Sequence, residues 1–279
     1  MADLVRRHDN AQQPICSPGA GVLQSTYFNL LHLAAGETCR TRLDGIESLF
    51  VPLSGSCEIR VGDSVFADVG GRPDVWSGKA DSVYATAGAE VIVRAAGGGA
   101  EIAVAGGLCA ERHAPFRVRP DEVEVVSVGS PETHSQRRIF HLLGQNGQGR
   151  AGNLLVSELY ADAGCWSGYP PHKHDQDQGA LETNHEEIYH YRFRPDNGFG
   201  AQLCFLADGS SQCFMTRDGD TFLLDRGYHP TVSSPGHAAY IFTILVGKTQ
   251  RGLVQNFKEE YRYMMASFPG VADMVDKFK

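Results

Sequence analysis

The chain has 279 residues, of which 42% are hydrophobic and 21% charged, close to globular averages, and this excludes disordered, collagen-like and coiled-coil chains. Its 25 basic and 33 acidic side chains leave a net charge of -8, so a broad positive surface for nucleic acid is not expected. No stretch approaches the ~20 apolar residues that cross a bilayer and the opening MADLVRRHDN lacks a secretory apolar core, so the expectation is a cytoplasmic protein without a membrane partner.

At ~150 residues per domain, the length suits two domains or one doubled fold. From residue 25 to 108 the chain runs through short β-like pieces, YFNLLHL, SLFVPL, CEIRVG, SVFADVG, SVYATAG, EVIVRA and EIAVAGG, with glycine at the breaks. Such Val-, Ile- and aromatic-rich runs predict many short strands in a barrel or sandwich. The triple glycine at 97–99 reads as a flexible hairpin tip. A polar, proline-containing stretch at 112–137 predicts a linker or exchanged segment, between an N-terminal barrel at 1–111 and a second at 138–247. The second half repeats the style with RIFHLLG, NLLVSELYA, EEIYHYRFR, FGAQLCFLA, SQCFMTR, DTFLLDRG and AYIFTILVG. After Gly247 apolar residues recur at three and four, which predicts a helical tail at 248–279 packed on a barrel or a partner. The fold class expected is all-β. The seven cysteines form no CxxC pair, so neither a disulfide framework nor a thiolate zinc site is expected.

Four of the eleven histidines lie between 172 and 190, in YPPHKHDQDQGALETNHEEIYHYRF. On an extended strand His172 and His174 project to one face and Lys173 to the other, so two imidazoles converge. Alternation in EEIYHYRF places Glu187, Tyr189, Tyr191 and Phe193 on one face and Ile188, His190 and Arg192 on the other. His229 follows an aliphatic strand and a glycine turn in DGDTFLLDRGYHP. Three imidazoles and a carboxylate suit Zn, Fe, Mn or Ni rather than Ca or Mg. Glu186 and His185 compete with Glu187 for the ligand position, whereas His190 reads as an exposed or inter-barrel histidine and His237 as a loop residue. In the first half the corresponding segment reads Arg40-Thr41-Arg42 with Glu47. Guanidinium offers no lone pair, so one half is expected to be active and the other structural.

These strings resemble the cupin superfamily, and WSGYPPHKHD, EEIYHYR, GFGAQ and RGYHP are most similar to the 5-deoxy-glucuronate isomerases of myo-inositol catabolism. The match is strong over residues 150–247 and looser before them. The resemblance implies a bicupin of two jelly-roll-like barrels with His172, His174, Glu187 and His229 as metal ligands, Zn first and Mn or Fe as alternatives. It implies aldose-ketose isomerisation of 5-deoxy-D-glucuronate to 5-dehydro-2-deoxy-D-gluconate, a sugar acid as small-molecule partner and a possible homo-oligomer. Twelve residues separate His174 from Glu187, Asp225 stands where the family's turn has proline, and Tyr191 and Thr243 replace its histidine and asparagine. Tyr189, Tyr191, Gln202 and Tyr240 are the candidates for proton handling or substrate hydroxyls, and Arg226 with Lys173 for the carboxylate. The alternatives are an iron-dependent cupin dioxygenase and a non-catalytic sugar-acid-binding bicupin.

Overall fold

A computed structural model describes residues 2–277, in which strand is the predominant regular structure. One seven-stranded sheet runs Thr26–Leu33, Glu90–Leu108, Ile46–Val61, Ser82–Ala85, Phe116–Val118, with Thr38–Arg42 on Glu90–Leu108 and Ser64–Gly70 on Ile46–Val61. The other runs Ala2–Val5, Thr221–Leu224, His185–Arg194, Ala238–Gly247, Leu154–Ala161, Arg137–Leu143, Glu124–Val128. A four-stranded sheet (Trp166–Ser167, Thr231–Ser233, Phe199–Phe205, Ser211–Arg217) and a two-stranded one (His172–Lys173, Asn256–Phe257) complete the second half. No helix among the described residues is long and apolar enough to cross a membrane.

The two large sheets bury their facing sides against each other. Phe28, Leu49 and Tyr84 of the first share one apolar cluster with Tyr240, Phe242 and Ile244 of the second. The approach is close at Gly107, where a Cβ would lie 2.8 Å from a Val246 methyl, too near for any side chain in a densely packed interior. Three buried carboxylates tie the halves together. Glu47 accepts from the Gly152 and Leu154 amides and the Tyr84 hydroxyl. Glu158 pairs with Arg72 at 2.5 Å, and Glu186 accepts from the Gln24 and Ser25 amides and the Thr26 hydroxyl. Each is satisfied several-fold, as a buried anion requires.

Several expectations change at this level. The triple glycine is no hairpin tip: Glu90–Leu108 is one strand that pairs first with Thr38–Arg42 and then with Thr26–Leu33, bending between the two partners. Gly99 sits at that bend with φ +76°, and a Cβ there would come within 2.8 Å of the Leu33 carbonyl oxygen, so only glycine fits. The polar stretch at 112–137 contains two strands, of which Phe116–Val118 joins the first sheet and Glu124–Val128 the second. The N-terminal strand Ala2–Val5 pairs with Thr221–Leu224 in the second half, so the first residues leave the half expected to hold them. Past Gly247 the chain forms Asn256–Phe257, a 3-10 stretch Glu259–Ala266 and the helix Val271–Lys277. Phe257, Phe268, Val271 and Met274 bury themselves against the second half.

Candidate metal centre

His172 begins a two-residue strand whose partner is Phe257. Its neighbour Lys173 points away and binds Asp175 at 2.5 Å and Glu182 at 2.8 Å. His174 is fixed by residue 185 twice over, since its carbonyl accepts the His185 amide and its own Nδ1 donates to the His185 carbonyl at 3.1 Å. Glu187 lies on His185–Arg194, on the face opposite Glu186. His229 follows Gly227, whose φ of +105° suits glycine and whose amide is held by Asp175 at 2.8 Å.

The side chains of His174, Glu187 and His229 form one buried group whose ligand atoms all lie within 4.8 Å of one another. Both histidine Nε2 atoms stand 3.0 Å from Glu187 Oε2. His172 is adjacent, its ring centroid 5.1 Å from that of His229 and 6.4 Å from that of His174, and its Nε2 accepts from the Gln255 side-chain amide at 3.0 Å. The structure thus brings three of the four expected ligands into one tight group with the fourth beside it.

The tautomers follow from the backbone. Nδ1 of His172, His174 and His229 faces the carbonyl oxygens of Pro170, His185 and Gly227 at 3.1, 3.1 and 2.8 Å. A carbonyl only accepts, so each Nδ1 carries the hydrogen and each Nε2 keeps its lone pair. The Nε2 lone pairs of His174 and His229 therefore meet a carboxylate oxygen, acceptor against acceptor. That contact is repulsive unless a cation or proton lies between, and a nitrogen-rich donor set oriented by its outer hydrogen bonds suits a divalent metal ion. With a proton in that gap in place of a cation, burial, which alone would raise the Glu187 pKa, is outweighed by the hydrogen bonds and charge of His174 and His229, which hold the carboxyl far below its usual range. Burial likewise pushes His174 down, and the Glu187 hydrogen bond and charge outweigh it and raise its pKa. For His172 burial, then the neighbouring imidazoles, keep the ring neutral.

A cavity of about 40 Å³ adjoins this group, lined by Arg137, Ser157, His172, Glu187, Tyr189 and Thr243, with Leu253, Gln255 and Met274 also on its wall. Tyr189 belongs here as expected from alternation. Burial, followed by the negative charge of Glu187, lifts its pKa well above 10, so the hydroxyl keeps its proton near pH 7. Tyr191 lies one pleat further along, donating to Gln202 Oε1 at 2.5 Å, and does not line the cavity. Gln202 in turn donates to the His229 carbonyl at 2.9 Å, which makes it a support of the histidine loop.

Three further expected roles do not fit the geometry. Tyr240 leaves its strand on the other face and donates to Glu158 at 2.9 Å, because Ile241, Thr243 and Leu245 take the alternate positions. The side chain of Arg226 is 58% exposed and pairs with Asp225, and Lys173 is already neutralised by two carboxylates; both line a separate surface recess. The competing ligands are also accounted for: Glu186 binds residues 24–26 of the first half, and His185 Nε2 faces the Arg251 carbonyl at 3.2 Å. His190, read as exposed or inter-barrel, is buried between the halves, its ring centroid 5.3 Å from that of Phe28 and its Nδ1 on the Thr221 hydroxyl at 2.9 Å. The residues that sequence reasoning missed are Arg137, Ser157, Gln255 and Met274. For Arg137 a signal existed, since it starts the alternation Arg137, Ile139, His141 on an apolar strand.

The model of the KduI/IolB family matches residues 4–264 of the chain. A 5-deoxy-glucuronate isomerase of Geobacillus kaustophilus is 32% identical over 222 residues, covering 79% of each protein. The crystal structure of an IolB-like protein from Salmonella typhimurium LT2 superposes with a TM-score of 0.87 at 28% identity, over 94% of this chain and 98% of that one. A Bacillus subtilis oxalate decarboxylase shares the fold, with a TM-score of 0.59 at 12% identity over 87% and 75% of the two chains.

Proposed function

The chain belongs to the KduI/IolB family, and we infer that it is a 5-deoxy-glucuronate isomerase, converting that aldose acid to the ketose 5-dehydro-2-deoxy-D-gluconate. The observation that carries this reading is the buried His174–Glu187–His229 group in a chain 32% identical to a named isomerase. The architecture is read as a bicupin, with the ligand-bearing barrel in the second half and the first half structural.

His172, His174, Glu187 and His229 are the residues that would hold a divalent ion, Zn first by donor type and Mn or Fe next. Such an ion supplies Lewis-acid polarisation of a carbonyl and its neighbouring hydroxyl. Tyr189 holds a proton beside Glu187 and offers it to an oxygen of the sugar. Ser157 and Thr243 present hydroxyls to the same space, and Leu159, Leu245 and Leu253 exclude water from it.

The test is direct. Purified protein given 5-deoxy-glucuronate is followed by proton NMR, and the aldehyde-hydrate signals are expected to give way to those of the ketose. Persistence of the hydrate signals with metal-loaded protein refutes the assignment.

A further inference from the structure

We propose that Arg137 binds the carboxylate of the substrate and selects a sugar acid over a neutral sugar. The proposal rests on the isomerase reading and deepens it. Arg137 is 1% exposed and lines the same cavity as His172, Glu187 and Tyr189. The hydrogen bonds its guanidinium makes, Nη1 to the Ser135 carbonyl at 3.0 Å and Nη2 to the Tyr169 carbonyl at 2.8 Å, both go to neutral acceptors.

No Asp or Glu pairs with it among the described residues, and the groups whose charge it senses are Tyr189 and Cys165, both neutral near pH 7. The buried Arg72 and the half-buried Lys173 and Arg251 each have a carboxylate as partner or in their field. Arg72 has Glu158, Lys173 has Asp175 and Glu182, and Arg251 has four carbonyl contacts and the field of Glu47. A guanidinium taken out of water without a counter-ion is costly, and a planar fork is the side chain best matched to a carboxylate. The missing anion is therefore the ligand's. At one end of the cavity the histidine group receives the carbonyl and hydroxyl carbons, and Arg137 receives the acid end.

The competing role is support of the loop before His172, through the bond to Tyr169. Metal-loaded wild type, Arg137→Met and Arg137→Lys are compared on 5-deoxy-glucuronate, on inhibition by the same aldose carrying CH2OH in place of the carboxylate, and on bound metal. In Arg137→Met the KM for the acid is expected to rise about 100-fold or more, a loss typical of a charge-assisted contact. Inhibition by the neutral sugar and metal content stay within about 2-fold of wild type, and Arg137→Lys falls between. If the Met variant does not fold, the acid-specific rise in Arg137→Lys decides. Equal weakening of acid and neutral sugar, or loss of metal, overturns the role of Arg137 and leaves the isomerase standing. A wild type that leaves the acid unchanged overturns the isomerase reading itself.

Discussion

Tyr189 and Tyr240 stand on adjacent strands of one sheet and leave it on opposite faces. The ring of Tyr189 lies 6.1 Å from that of His229, centroid to centroid, whereas the Tyr240 hydroxyl donates to Glu158 at 2.9 Å among the groups that join the halves. Removal of the two hydroxyls should therefore have different effects. Tyr189→Phe is expected to lower kcat/KM about 10-fold or more, a proton-donating contact being lost at the sugar. Tyr240→Phe should leave turnover within about 2-fold and cost about 1 kcal/mol of stability. Steady-state kinetics and urea melts on both variants check the pair.

Occupancy of the histidine group by an ion should make the protein's stability depend on metal. Dialysis against a chelator is expected to abolish turnover and lower Tm, and Zn or Mn to restore both. An ion bound only by the folded state adds about 2.7 kcal/mol at 100 times its Kd. His229→Ala should lose the ion and the metal-dependent rise in Tm, while Gln255→Leu keeps both, as elemental analysis and thermal melts would show.

Glu158 is fully buried against Arg72. Glu158→Gln leaves an arginine buried without its anion and is expected to cost ~3–5 kcal/mol. Replacing both partners at once, Arg72→Met with Glu158→Leu, should cost much less. Chemical denaturation of the single and double variants measures the difference; equal losses would show that the pair is not the source.

His141 is buried, and burial lowers its pKa from 6.5 to about 4. The unfolded chain therefore takes up a proton below pH 6.5 that the folded chain refuses until about pH 4. Stability should fall as pH drops through that window, with a slope approaching about 1.4 kcal/mol per pH unit for one such group. His141→Gln is expected to flatten the slope of Tm against pH there, and an unchanged slope would assign the acid loss to other groups.

Much of this site was legible because its signals are local. A period of two on His185–Arg194 puts Glu187 and Tyr189 on one face, and the HKH triplet puts two imidazoles together, whatever the rest of the chain does. What escaped depends on distant partners. Tyr240 alternates as regularly as Tyr189, but only the first sheet, packed against its face, shows that this face is not the cavity. Arg137 sits at the end of a polar stretch, where an arginine reads as solvated until the strand is seen to carry it inward. The strand Glu90–Leu108 reads as two because glycine marks a turn and a bend alike, and only two successive partners tell them apart.

The pairing of Ala2–Val5 with Thr221–Leu224 joins positions more than 200 apart in the chain, as in Ala2 with Leu224. Thr221–Leu224 is also the strand beside the one that carries Glu187. The ligand-bearing half is consequently not an excisable module. A fragment cut between the halves would leave a bare row of amides and carbonyls one strand away from the carboxylate, open to zipping against another molecule. The N-terminal residues thus serve the second half as the anchor of that edge.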